Sequence, residues 1–260
     1  MKLMFAALLL LFIGCKSKDK TENTSMPGAY KMLSQTRKST TVDTTIKGGQ
    51  QLKIYTDDFI MYAGINSPDS VSWFGVGSYS MNKDTVSEHI VYSAGDSTSD
   101  DTARHYTLMI EKTTKGYKQV IPEIGTGNNK VKLTEDYETV GTSSKSDLDG
   151  SWKLVKRFTV KGTDTTKQET VQYKTYFAGY CIWGNTWKDS VNKQHTGIGF
   201  GTFTMTGNKV KESMTASTYS DVRGHSFDID IALNGKDEFT QTMTNPDGTK
   251  GVEVYTRMKK

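Results

Sequence analysis

The sequence predicts an all-β protein built as two tandem antiparallel up-and-down barrels of about eight strands each. Three observations predict it. Beyond the first residues, apolar and polar side chains alternate with a period of two, and the 3.6-residue period of helices is hard to find. Threonine, serine and tyrosine are abundant alongside 24 glycines, while only 4 prolines occur. One stretch is also present twice, as FGVGSYSMNKDTVSE from Phe74 to Glu88 and as IGFGTFTMTGNKVKE from Ile198 to Glu212. With Gly75 aligned on Gly199, five of fourteen positions are identical, where composition alone gives about one. Each copy reads as a strand, a turn through Asn82-Lys83-Asp84 or Thr206-Gly207-Asn208, and a returning strand, which is a β-hairpin.

The chain opens with Met1 and Lys2, an apolar run from Leu3 to Ile13, then Gly14 and Cys15. Such a run is too short to span a bilayer and has the length of a secretory signal core. Its end, LLFIGC, resembles the lipobox of bacterial lipoproteins, with Phe12 where leucine is usual. That resemblance implies cleavage after residue 14 and lipidation of Cys15; an ordinary signal peptide with a chance cysteine is the alternative. Residues 1–14 are then the signal peptide and 15–27 a polar tether without periodicity, reaching up to roughly 40 Å when extended. The protein is expected to be exported and held by its N-terminal lipid to a bacterial membrane, the outer membrane being the expected one, on a side left open. Each buried methylene contributes about 0.8 kcal/mol, so more than one acyl chain makes such anchoring stable.

The length of 260 residues exceeds one average domain and suffices for two cores. The formal net charge of +4 is too small and too evenly spread to argue for nucleic acid. Of the 2 cysteines only Cys181 remains beside Cys15, so a disulfide within the mature chain is not expected. A lone thiol next to Ile182 and Trp183 reads as a buried apolar residue.

The two copies are assigned to residues 28–140 and 150–260, with a linker-like composition over 141–149. Copy one starts at Gly28 and Tyr30, copy two at Gly150 and Trp152. In the second matching block, Leu52 to Tyr62 against Tyr173 to Trp183, Lys53 meets Lys174, Tyr55 meets Tyr176, Phe59 meets Tyr180 and Tyr62 meets Trp183. Asp69-Ser70-Val71 then matches Asp189-Ser190-Val191. Blocks that keep their order at a nearly constant offset indicate duplication. Later strands are expected at Tyr106 to Ile110, Tyr117 to Ile121, Lys130 to Thr139, Phe227 to Ile231, Glu238 to Met243 and Val252 to Met258. Strands joined by short polar turns can remove their exposed edges by closing into a barrel, which holds packed side chains or one small ligand.

Gly150-Ser151-Trp152 on a first strand, with Arg257 on the last, resembles the lipocalin and calycin pattern. The blocks KIYT and GVGSY and the ending Glu253-x-Tyr255-x-Arg257 are similar to short lipocalin-like domains of secreted bacterial proteins. The resemblance implies that Arg257 covers Trp152 and closes one end of the second barrel, and that the fold binds small hydrophobic molecules. Copy one has Tyr30 for the tryptophan and no arginine in its last strand, which leaves its closure open.

The polar residue of most interest is the shared glutamate. Val86, Glu88, Ile90 and Tyr92 are expected on one strand face, as are Val210, Glu212 and Met214, and a carboxylate on an apolar face needs a partner or a shifted pKa. One reading is a ligand site in which Glu88 and Glu212 anchor a polar group, with Tyr55, Tyr62, Tyr176 and Trp183 as aromatic walls. The other is a structural ion pair with Lys53, Lys174 or Arg257. The histidines His89, His105, His195 and His225 do not correspond between copies or show ligand spacing, and Asp96 to Asp101 lacks a calcium-loop pattern, so neither metal nor cofactor is expected. No nucleophile elbow or phosphate loop occurs, so an enzyme is not expected. The expected function is a membrane-anchored lipoprotein binding a small hydrophobic or amphipathic ligand; the alternative is a structural or interaction protein of the cell envelope whose barrels are filled by side chains.

Overall fold

The computed structural model describes residues 26–48, 50–66, 71–95, 98–125, 127, 130–143 and 146–260. The signal segment, Cys15, the tether up to residue 25, the Asp69-Ser70 match and Asp96 lie outside them. The first copy contains β1 (Gly28–Lys38), β2 (Asp43–Lys47), β3 (Gln50–Tyr55), β4 (Phe59–Ile65), β5 (Ser72–Asn82), β6 (Thr85–Gly95), β7 (Thr98–Asp100), β8 (Arg104–Lys112), β9 (Gly116–Ile124) and β10 (Val131–Gly141). The second contains β11 (Gly150–Lys161), β12 (Asp164–Lys167), β13 (Val171–Phe177), β14 (Tyr180–Lys188), β15 (Gln194–Thr206), β16 (Lys209–Ser217), β17 (Ser226–Asn234), β18 (Glu238–Thr244) and β19 (Lys250–Arg257).

Both copies are closed eight-stranded antiparallel barrels. In barrel 1, β1 pairs with both β3 and β10, which closes a ring of β1, β3–β6 and β8–β10. In barrel 2, β11 pairs with both β13 and β19. The short strands β2, β7 and β12 are side pairings on these rings. Barrel 1 closes without the tryptophan and arginine of barrel 2: Tyr30 pairs with Thr139 where Trp152 pairs with Arg257. Backbone register alone therefore suffices for closure, since each ring leaves no edge unpaired.

The duplicated G-x-G carries two jobs. A Cβ on Gly75 would sit 2.4 Å from the Tyr62 ring, and one on Gly199 would sit 2.3 Å from the Trp183 indole, so the first glycine lets the β4 or β14 aromatic lie across the strand. The second glycine marks a bulge. Val76 pairs with Tyr92 but Gly77 with Ile90, and Phe200 pairs with Ala216 but Gly201 with Met214, which leaves Val91 and Thr215 as extra residues. An extra residue inverts the side-chain alternation, and this corrects the expectation that Tyr92 shares a face with Glu88. Val86 and Ile90 point into barrel 1, whereas Tyr92 and Ala94 point out of it. In copy two Val210 and Met214 point in and Ala216 points out.

The outward faces meet. Leu52, Ile54, Met61, Phe74, Val76 and Tyr92 of barrel 1 form one buried cluster with Tyr173, Ile182, Ile198, Phe200 and Ala216 of barrel 2. Mostly equivalent strands of the two copies supply it, β3–β6 from one and β13–β16 from the other, with Ala29 of β1 and Ala178 of the β13–β14 turn added. The contact is therefore self-complementary in the manner of a two-fold dimer interface. Phe74 occupies the space over Gly184, where a Cβ would approach its ring to 2.4 Å. The Tyr92 hydroxyl lies 2.6 Å from Thr186 Oγ1, both buried. Tyr92→Phe is expected to destabilise the protein by about 1–3 kcal/mol, because Thr186 loses its side-chain partner in a buried joint. Thermal unfolding checks this, and an unchanged Tm would show that the joint tolerates the loss.

The end of each barrel where β1 or β11 begins is plugged by the segment just before it. Trp152 Nε1 donates to Leu148 O at 2.8 Å and Tyr30 Oη to Met26 O at 3.4 Å, with Leu148 and Met26 both buried. The Arg257 guanidinium lies 4.0 Å from the Trp152 ring centroid and donates to Asp149 O at 2.6 Å, tying plug to last strand. Such a stacked cation contributes about 0.5–2 kcal/mol. Among the described residues, no helix is long and apolar enough to cross a membrane.

Candidate functional site

Inside each barrel the same polar chain is built from equivalent positions. In barrel 1, Tyr55 Oη donates to Glu88 Oε1 at 2.6 Å, and Lys53 Nζ lies 3.6 Å from the same oxygen. Lys53 donates to Gln119 Oε1 at 2.9 Å, and Gln119 Nε2 donates to Glu135 Oε2 at 2.8 Å. Tyr137 Oη also donates to Glu135 at 2.8 Å and accepts from Gln51 at 2.6 Å. In barrel 2, Tyr176 and Lys174 donate to Glu212, the lysine at 2.9 Å. Lys174 donates to Gln241 at 2.9 Å, and Gln241 to Glu253 at 2.7 Å. Tyr255 donates to Glu253 at 2.5 Å and accepts from Gln172. Buried charges are costly unless paired and hydrogen-bonded; all four carboxylates are hydrogen-bonded, and Glu88, Glu212 and Glu253 also face a cation, whereas the donors that reach Glu135 are neutral.

The phenols feel this environment. Burial pushes Tyr55, Tyr137, Tyr176 and Tyr255 well above the usual phenol range, and the carboxylates beside them push further in the same direction. Burial likewise raises the Cys181 thiol, with Glu212 adding to it, so Cys181 is a core residue rather than a nucleophile.

The two barrels differ at the opposite end. Among the described residues, barrel 1 opens there into a cavity of about 570 Å³. Its floor is Gln51, Lys53, Glu88, Gln119 and Glu135, with Gln35 beside them, and its walls include Val42, Ile46, Trp73, Ile121 and Leu133. Polar groups converge at the bottom and apolar ones line the sides, the usual form of a small-molecule site. In barrel 2 the segment 218–225 between β16 and β17 covers the corresponding end. Tyr219 stacks on Trp183 with ring centroids 5.8 Å apart and donates to Asn185 at 3.3 Å. Gly197, aligned with Trp73, leaves room for it: a Cβ there would lie 2.4 Å from the Tyr219 hydroxyl. A cleft of about 340 Å³ remains outside this cover, beside Arg157, Trp187 and Tyr219.

No family model matches the chain, and no curated protein sequence does. Among solved structures, the chain is similar to a protein of unknown function from the DUF3598 family of Nostoc punctiforme, at 11% identity and a TM-score of 0.26, over 89% of this chain and 96% of that one. It is also similar to the di-domain ARO/CYC StfQ from the steffimycin biosynthetic pathway, at 7% identity and a TM-score of 0.17, over 88% of this chain and 75% of that one.

Of the residues singled out in the sequence, Glu88 and Tyr62 line the barrel 1 cavity. Tyr55 lies beneath it, fully buried against Glu88. In copy two, Tyr176 and Glu212 are buried in the core and Trp183 is stacked under Tyr219, so these three are packed. The glutamate pairing with Lys53 and Lys174, the second of the two readings, is present in both copies, and Arg257 takes no part in it. The sequence pattern gave no site role to Gln51, Gln119 and Glu135 or to Gln172 and Gln241, and Glu253 stood only as part of the ending Glu253-x-Tyr255-x-Arg257. The motif E-x-Y, Glu135-x-Tyr137 and Glu253-x-Tyr255, was visible in both last strands and would have found the second carboxylate. His89 and His105, without ligand spacing in sequence, stack across β6 and β8 at 4.4 Å. Among the described residues no three histidine, cysteine or acidic side chains converge.

Proposed function

We propose that the protein is an exported lipoprotein, not an enzyme, whose first barrel takes up one small amphipathic molecule while the second is a side-chain-filled scaffold. The observation that carries this reading is the barrel 1 cavity, with an open end, apolar walls and a polar floor. Its volume suits a single ligand of modest size. The lipocalin resemblance agrees with it, though fold alone assigns no function. The N-terminal LLFIGC motif supports membrane anchoring through Cys15. A second reading, a purely structural or interaction protein, is favoured by the covered end of barrel 2, where Tyr219 and Trp183 fill the space.

Native mass spectrometry of the soluble chain from Lys16 onward, purified gently from its own host, separates them. One extra mass per chain, lost on denaturation and absent from an Ile121→Trp variant that fills the cavity, is the expected result. A clean apo mass that persists after incubation with lipid extracts favours the structural reading.

A further inference from the structure

The two barrels differ in one interior charge. In barrel 2, Glu253 accepts from Gln172, Gln241 and Tyr255 and also meets Arg157, whose Nε lies 3.4 Å from Oε1. Two cations, Lys174 and Arg157, thus face two carboxylates, Glu212 and Glu253. In barrel 1 the position of Arg157 is Gln35, at the same step along the first strand counted from Gly28 and Gly150. Gln35 Nε2 donates to Glu135 Oε1 at 2.8 Å in place of the guanidinium. Glu135 is only 4% exposed and is held by neutral donors alone, and among the described residues no ion pair reaches it. Lys53 is engaged by Glu88 and Gln119, and Arg37 lines the exposed rim of the cavity without pairing to Glu135. The floor of barrel 1 is one cation short of the floor of barrel 2.

That shortage faces the cavity rather than a packed core. Buried charge favours a counter-ion, and among the described residues Glu135 is approached from the cavity. We propose that barrel 1 binds cationic amphiphiles, with an ammonium or guanidinium group at Glu135 where barrel 2 keeps its own guanidinium, and the tail along Ile121, Leu133 and Trp73. This inference rests on the amphiphile reading above and adds the sign of the head group.

The test uses the chain from Lys16 onward, which keeps both barrels whole, and three probes sharing one tail: decylammonium, decanol and decanoate. Titration calorimetry is expected to give decylammonium at least about tenfold tighter binding than either other probe. Glu135→Gln removes the counter-ion, and Gln35→Arg installs the cation of barrel 2; each is expected to erase the preference, so that decylammonium binds no more tightly than decanol. The second substitution reproduces an arrangement the fold already carries, so it separates binding from folding. Equal affinity for decanol, tightest binding of decanoate, or a cation preference that survives both substitutions overturns the assignment of a cation to Glu135 and leaves the amphiphile reading standing. No binding of any of the three overturns both.

Discussion

Lys174→Met is expected to destabilise the protein by about 3–5 kcal/mol in urea denaturation at neutral pH. Lys174 and Glu212 are both nearly inaccessible, 2.9 Å apart, and removing the ammonium strands a carboxylate that has only Tyr176 left to answer it. Gln241 also loses its donor, so the carbonyl side of that amide is left without the partner it faces. The loss reflects a charge left unpaired, not the net worth of the pair. Lys174→Met combined with Glu212→Leu should therefore recover most of the stability, because it removes both ends of the problem. Lys53→Met is expected to cost about half as much, since its contact to Glu88 is longer, at 3.6 Å, and Glu88 borders an open cavity where water can replace the lost cation. A cost below about 1 kcal/mol for Lys174→Met would mean that the barrel 2 network does not hold a charged carboxylate.

Alkaline pH is expected to unfold the protein steeply, and tyrosines are the cause. Tyr55, Tyr117, Tyr137, Tyr176 and Tyr255 are essentially inaccessible, and burial raises each of them well above the ordinary phenol value. A folded-state pKa above the unfolded one means that the native protein keeps protons the unfolded chain releases. Their contribution is fully present below the unfolded value near pH 10 and is lost as pH rises above it toward the folded values. Each phenol then subtracts about 1.4 kcal/mol per pH unit, so five together subtract about 7 kcal/mol per unit, comparable to the whole stability of a domain. Phenolate absorbance followed beside circular dichroism should show these five ionising in one step with loss of structure. Gradual ionisation of all tyrosines before any unfolding would contradict their burial.

The barrels themselves were legible because two-residue alternation and the turns through Lys83 and Gly207 are local signals, and both turn residues adopt the positive φ that such tight turns require. The pairing of Glu88 with Lys53 was also within reach, since both recur at equivalent positions. What stayed hidden depends on a one-residue irregularity. Nothing in the string announces Val91 as a bulge, yet that residue decides that Tyr92 meets Thr186 in the other barrel instead of joining Glu88 inside its own. The cavity was hidden for a different reason. Equivalent aromatics are found in both copies, and whether they line a space or fill one depends on what covers them. Tyr219, in the connection between β16 and β17, settles that for barrel 2.

The plugged ends have a consequence for traffic. Met26 sits against Tyr30 at the closed end of barrel 1, so the described chain enters the barrel there, whereas the cavity opens at the far ends of the same strands. Eleven residues of β1 place the two ends roughly 30 Å apart. On the lipoprotein reading proposed above, the tether joins barrel 1 at the end away from the cavity mouth and is about as long as the barrel itself. A molecule entering the cavity would therefore do so at the end opposite the one where the chain enters the barrel.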